Sequence, residues 1–241
     1  MRPPFKHFRD LTAHDVNFDF HMHTSQTDGR NRAEDMIAAA RAKGLTAIGF
    51  SEHVNRTSSW YAGFVQQLSA LRTDAGLRVL IGIEAKPLDF DGTIDASAEI
   101  LDAAELIVGS VHRFPDGRGG LVPLDGVKAL GAASALDIEM RLASGIVANR
   151  DSRIDVLGHP MGICTKTFGD FPEQEYRRLM EICRENDVAF EISTKYCPDL
   201  GRLVGLLRDV NPRVSVGSDA HGVEEVGRSF DQLRDEIARC H

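Results

Sequence analysis

The sequence predicts an α/β fold of about seven strand–helix units, closed into a barrel or, failing closure, laid out as an open doubly wound sheet. Three observations predict it. Apolar runs of strand length alternate with segments of helical period along the chain. Helical segments end at stop signals such as Lys43-Gly44. Chemically versatile polar residues recur directly after the strands, and in parallel α/β folds those C-terminal strand ends share one edge, where sites form.

Residues 1–15 read as an irregular lead-in. Val16, Phe18 and Phe20 alternate with polar neighbours as a first strand, which delivers His21 and His23. Residues two apart in extended backbone point to the same side, so both imidazoles converge. Arg32 to Lys43 carries Met36, Ile37 and Ala40 at helical spacing, and Leu45 to Phe50 is a strand delivering Ser51-Glu52-His53. A helix from Trp60 to Arg72 precedes the strand Leu77 to Ile83, which delivers Glu84. Ile94 to Ala104 reads as helical, and Glu105 to Val111 as the strand delivering His112. Arg113 to Gly131, rich in Gly and Pro, reads as a long loop with no element of its own. Ala132 to Ala148 is a helix, and Ile154 to Leu157 a strand delivering His159. Pro172 suits the first turn of a charged helix to Asn186. Val188 to Ile192 is a strand carrying Glu191. A helix from Leu200 to Val210 leads to the strand Arg213 to Val216, which delivers Ser218-Asp219-Ala220-His221, and Ser229 to Arg239 is the last helix.

With 241 residues, 42% of them hydrophobic and 27% charged, the chain fits a single domain over 1–241 with a sizeable core. The net charge of −8 and the absence of any basic run longer than Arg177-Arg178 argue against stable nucleic-acid binding. No stretch approaches the roughly 18 apolar residues of a membrane span, and the N-terminus lacks a signal-peptide core, so no membrane partner and a cytoplasmic location are expected. The four cysteines have no Cys-x-x-Cys spacing and read as reduced thiols. No heptad pattern reveals an oligomeric state.

Of nine histidines, His7, His14 and His241 lie toward the termini, and the other six all sit at strand ends. Scattered surface or core histidines would have fallen partly in helices. Glu84, Asp219 and Asp28 add carboxylates whose burial needs a compensating cation. Imidazoles and carboxylates are metal ligands, and one ion takes three or four of them, so nine imply a group of ions.

The pattern His21-x-His23-Thr24, Asp28-Gly29, Glu52-His53, Glu84, Gly109-Ser-Val-His112, Gly158-His159-Pro160 and Ser218-Asp219-Ala220-His221 closely resembles the polymerase and histidinol phosphatase (PHP) family of metal-dependent phosphoesterases, over about residues 16–228. The resemblance implies a distorted (β/α)7-type barrel with its active site at the C-terminal ends of the parallel strands. It assigns His21, His23, Glu84 and Asp219 to a first metal, with Glu84 bridging to a second held by His112 and His159. Asp28, His53 and His221 take a third, although Asp28-Gly29 reads equally as a turn. The ions would be zinc, iron or manganese, divalent or trivalent, and Glu84, His112 and Asp219 catalytic. Glu191 would orient an imidazole, with Ser193 standing where the family often carries Asn. Glu52 is either a similar partner or a solvated loop charge.

The implied reaction is hydrolysis of a phosphate monoester of a small metabolite, histidinol phosphate being the nearest analogue, by a metal-bridging hydroxide in a trinuclear site. Nucleotide or cyclic-phosphate hydrolysis is the alternative within the family. An amidohydrolase-type C–N hydrolase is the alternative outside it; such enzymes also begin with His-x-His but usually carry a bridging lysine on a middle strand, and Ile107 to Val111 has none. No Gly-x-x-x-x-Gly-Lys loop is present, in keeping with a phosphate bound by metals. Arg113, Lys195 and Arg228 are candidate phosphate- or substrate-binding cations. Trp60, Tyr61 and Phe64 either line a substrate ring or pack in the core. The pocket is expected from Ser51–Tyr61, Arg113–Gly131 and Met161–Phe171, a compact set that favours small substrates.

Overall fold

Seven short apolar runs form strands: β1 (Phe18–Met22), β2 (Ala47–His53), β3 (Arg78–Ala85), β4 (Leu106–Gly109), β5 (Val156–Leu157), β6 (Ala189–Ser193) and β7 (Val214–Gly217). The computed structural model describes residues 5–72, 76–116 and 120–240. Residues 1–4 of the lead-in, 117–119 of the long loop and His241 lie outside the described residues. Every strand is parallel to its neighbour, and spatial order follows chain order from β1 to β7. Parallel neighbours need a crossover between them. Most crossovers are helical: α1 (Ala33–Ala42), α2 (Tyr61–Leu71), α3 (Ala98–Ala103), α4 (Val127–Leu130), α5 (Ala132–Ala148), α6 (Gly162–Phe168), α7 (Glu173–Glu185), α8 (Leu200–Val210) and the terminal α9 (Phe230–Cys240).

The sheet curls into a nearly closed barrel. At the seam Met22 forms a parallel bridge with Ala220, and His23 N donates to Ala220 O at 2.8 Å. Asp19, wholly buried, ties the rest: Oδ1 accepts from Ser218 N at 2.9 Å, and Oδ2 from Ser218 Oγ at 2.5 Å and Gly227 N at 3.0 Å. Phe20, Leu80, Leu106, Val108, Val156 and Ala189 pack as a cluster of their own and fill the lower interior. Phe5 meets the ring of Phe20 edge-on with centroids 6.1 Å apart. The lead-in is therefore irregular but docked, with His7 bridging Arg213 and Val214 N donating to Lys6 O at 3.0 Å. A larger core, with Ile48, Phe50, Ile81 and Ile83 on its strand side, lies between barrel and helices.

Simple alternation would not place both Phe20 and His21 inside. The register between β1 and β2 slips between Asp19 and Met22, a bulge that turns the strand. Below it Phe20 faces the apolar floor; above it His21 and His23 face the polar upper layer.

Three elements differ from expectation. The helix expected over Ile94–Ala104 is confined to Ala98–Ala103, because Ile94 bridges Pro87 across a turn and Ser97 caps the helix through Ile100 N. The stretch 113–131 holds the short helix α4, and Met161–Phe171 contains α6, whose composition carries no helical period. Trp60, Tyr61 and Phe64 pack on one another, and Tyr61 and Phe64 are buried, which settles them as core.

Replacing Asp19 by Ala strips three donors of a buried acceptor at the seam. In metal-stripped protein, urea unfolding is expected to lose roughly 3 kcal/mol of stability; a change below about 0.5 kcal/mol would show that the seam does not depend on it.

Candidate metal centre

Glu84 ends the inward row of β3 with its side chain 1% exposed, and other side chains converge on it. Its Oε1 lies 2.9 Å from His159 Nε2, 3.1 Å from His112 Nε2 and 3.2 Å from His21 Nε2. Its Oε2 lies 3.0 Å from His53 Nδ1 and 3.5 Å from His23 Nε2. Asp219 Oδ1 is 3.3 Å from His23 Nε2, while Asp28 Oδ2 is 3.2 Å from His53 Nε2 and 3.3 Å from His221 Nε2. All nine residues singled out in the sequence thus meet at one end of the barrel. Their ligand atoms form four overlapping groups, each within 4.8 Å: His23, Asp28, His53 and His221; His21, Glu84 and His159; His21, His23 and Asp219; His53, Glu84 and His112. The overlap is greater than the family assignment implies, since His23 also joins Asp28 and His53 also joins His112.

The donor set fits metal ions. His21 Nε2, both ring nitrogens of His23, and Glu84 Oε2 are buried without a hydrogen-bond partner among the described residues. A buried polar atom left so costs about 1–3 kcal/mol, and here all four belong to one cluster of imidazoles and carboxylates. Divalent cations are what that donor set binds. Burial holds the His23 imidazole down to about 4, against the nearby carboxylates of Asp219 and Glu84, so the ring is neutral at pH 7. Burial alone would raise Glu84, but His112 and His21 hold its carboxyl well below the usual range.

Other buried carboxylates hold the donors in place. His21 Nδ1 donates to Glu191 Oε1 at 2.8 Å, which directs Nε2 toward Glu84, and Glu191 Oε2 accepts from His159 N at 2.5 Å. Gly217 makes room for this, since a Cβ there would overlap the Glu191 carboxylate and His21. Glu52 is fully buried, which excludes the solvated-loop reading. It accepts from Thr24 N at 2.8 Å and Thr27 Oγ1 at 2.5 Å, so it folds the turn that presents the half-exposed Asp28. His159 and Asp219 both have positive φ, 24° and 49°, a conformation that bends the chain at the strand end.

Beside the cluster opens a pocket of ≈ 680 Å³. Of the three cations singled out in the sequence, Arg113 and Lys195 line it, and Lys195 Nζ lies 2.8 Å from Asp219 Oδ2. Arg228 does not line the pocket; its guanidinium pairs with Glu225 at 2.7 Å. The wall also holds Lys86, Lys166 and Tyr196, none of which sequence reasoning selected. Tyr196 follows Lys195 in the same strand-end loop, which was a usable signal, and its ring packs on His159 with centroids 5.1 Å apart. Lys166 lies in the segment Met161–Phe171 expected to wall the pocket, but which of its residues would face inward depended on the unforeseen α6.

The family model described as PHP domain matches residues 19–195 of the chain. The chain belongs to the PHP-domain family. Similar sequences include the Escherichia coli protein named probable phosphatase YcdX, 27% identical over 229 residues that cover 90% of this chain and 83% of that protein. A Caldicellulosiruptor bescii protein named probable phosphatase is 26% identical over 223 residues, covering 88% and 83%. Among solved structures, a Listeria monocytogenes chain superposes with TM-score 0.72 at 18% identity, over 89% of this chain and 99% of that one. Histidinol phosphate phosphatase from Lactococcus lactis, complexed with zinc, L-histidinol and phosphate, gives TM-score 0.70 at 18% identity, over 92% and 94%. Asp219 and His221 lie beyond the matched family segment, yet they close the same cluster.

Burial raises Glu52 from 4.5 to about 7, against its hydrogen bonds to Thr27 and Thr24. The folded, metal-free protein therefore holds a proton that the unfolded chain releases. The stability this gives is complete below about pH 4.5 and is lost as pH rises to about 7, by roughly 3 kcal/mol. Glu52→Gln can still accept from Thr24 N through Oε1 and donate to Thr27 Oγ1 through Nε2, and it stays neutral, so its stability curve is expected to be flatter across that window; parallel curves in pH-dependent urea melts would refute the assignment.

Proposed function

We propose that this chain is a metal-dependent phosphatase that hydrolyses the phosphate monoester of a small metabolite, with three divalent ions shared among His21, His23, Asp28, His53, Glu84, His112, His159, Asp219 and His221. The observation that carries the reading is the convergence of these nine side chains around Glu84, with four buried donor atoms left without a partner. When bound, clustered divalent ions make water nucleophilic near pH 7 and neutralise phosphate oxygens.

The chain's own residues do the rest. Glu84 spans the cluster, one oxygen toward His21, His112 and His159 and the other toward His53 and His23. Glu191 keeps the His21 and His159 segments aligned. Lys195, held against Asp219, stands at the cluster edge, where its ammonium is suited to a phosphate oxygen. Arg113 follows His112 directly and lines the same pocket. Histidinol phosphate belongs to the substrate class. Its support is the likeness to the Lactococcus lactis structure, which at 18% identity speaks for the fold, so the choice of ester falls to the pocket wall.

Glu84→Ala or His112→Ala is expected to lower turnover of a generic phosphomonoester by about 10²-fold or more, because each removes part of the cluster; full turnover with metal retained would sink the assignment. Elemental analysis of the purified protein is expected to give close to three ions per chain. Asp28→Ala should lose about one of them while the others stay, and an unchanged count would return Asp28-Gly29 to the role of a plain turn. Chelation to zero metal is expected to abolish activity.

A further inference from the structure

Setting aside the nine candidate ligands leaves the pocket wall with an uneven charge. Lys86, Arg113, Lys166 and Lys195 line it, and every acid on it, Asp28, Glu84 and Asp219, belongs to the cluster. Two of the four cations are engaged: Lys195 with Asp219 at 2.8 Å, and Lys86 with Asp95 at 3.3 Å. The side chains of Arg113 and Lys166 have no ion-pair or hydrogen-bond partner among the described residues.

The place of Lys166 is built into the fold. Glu139 on α5, 1% exposed, accepts from Ile163 N at 3.0 Å and Cys164 N at 2.8 Å, fixing the first turn of α6. A Cβ at Gly162 would lie 3.0 Å from His159 Nδ1, so the helix begins against the cluster. Gly162, Ile163, Lys166 and Thr167 all line the pocket, as residues one turn apart on one helix face do. Lys166 stands about 6 Å along the axis from Gly162, so its charge serves the far end of a substrate whose phosphate sits at the cluster. Arg113 lines the same pocket from the chain that leaves His112.

We propose that Arg113 and Lys166 form a subsite for a second anionic group, so that the preferred substrate is a phosphate monoester bearing a further carboxylate or phosphate several ångströms from the ester. The inference rests on the phosphatase reading above. The three carboxylates of the cluster offset half the charge of three divalent ions, and a phosphate dianion offsets most of the remainder. The two wall cations stay unmatched unless the substrate's tail is negative. An ammonium tail, as on histidinol, meets like charge with no free acid on the wall. Both cations are exposed, so the effect is selectivity of about tenfold rather than tight binding.

The test compares four-carbon esters on metal-loaded protein: butyl phosphate, 4-aminobutyl phosphate, 4-phosphooxybutyrate and butane-1,4-diol bisphosphate. The two anion-tailed esters are expected to exceed butyl phosphate in kcat/KM by about tenfold, less at high salt, with the amine last. Their relative rates tell a carboxylate subsite from a phosphate one. Lys166→Met should bring the anion-tailed esters close to parity with butyl phosphate. In parallel, calorimetry compares the Kd of 5-phosphonopentanoate with that of pentylphosphonate, neither of which is hydrolysed. Equal kcat/KM for charged and uncharged tails, or a preference that survives Lys166→Met, overturns the subsite and leaves the phosphatase reading standing. No turnover of any ester, with tighter binding of 5-phosphonopentanoate that Lys166→Met abolishes, overturns the phosphatase reading and keeps the anion subsite. No turnover and equal Kd values overturn both.

Discussion

A carboxylate at the top of the barrel, cut off from solvent, sets the terms for everything around it. With its side chain 1% exposed, Glu84 is either protonated or surrounded by positive charge. The fold supplies the second condition by bringing imidazoles from the ends of β1, β2, β4 and β5 to within 3.2 Å of its two oxygens. Without metal, the neighbouring carboxylates raise His21, His53 and His159 against burial, so these rings carry that charge. Bound metal ions would take their place, with the rings as neutral ligands. Parallel strands make the convergence possible, because all of their C-terminal ends open on the same side.

Around this hub, buried carboxylates outside the ligand set each secure one neighbouring segment. Asp19 fastens the seam between β1 and the chain after β7. Glu52 folds the turn that carries Asp28, Glu191 aligns His21 and the backbone at His159, and Glu139 anchors α6. These four accept mainly from backbone N–H groups, which is how a buried carboxylate is stabilised without a full countercharge. The arrangement separates tasks: residues facing the cluster bind, and the layer behind them fixes geometry.

The pocket wall follows a different logic from the cluster. Its cations, Lys86, Arg113, Lys166 and Lys195, come from loops and from α6 rather than from the strands, the segments in which related barrels are free to differ. A shared fold at 18% identity therefore does not set the substrate. A chain of net charge −8 still presents a positive pocket, because surface charge and site charge are set by different residues.

The sequence by itself determined the order of strands and helices and the candidate ligands, because alternation reveals strands and the ends of parallel strands share one edge. Seven strands, the helices α1, α2, α5, α7, α8 and α9, and the meeting of His21 with residues as distant as Asp219 were legible in this way. Tertiary structure alone decided the rest. The bulge in β1 that turns both Phe20 and His21 inward depends on pairing with β2, which no single-strand pattern encodes. The brevity of α3 comes from the Pro87–Ile94 bridge, and α6 owes its place to Glu139, twenty-odd residues earlier in sequence. Arg228 pairs with Glu225 away from the pocket wall, and within Met161–Phe171 it is the turn of α6 that brings Lys166 to that wall. Local period governs which element forms, whereas the partner of a long charged side chain is settled only when distant segments pack.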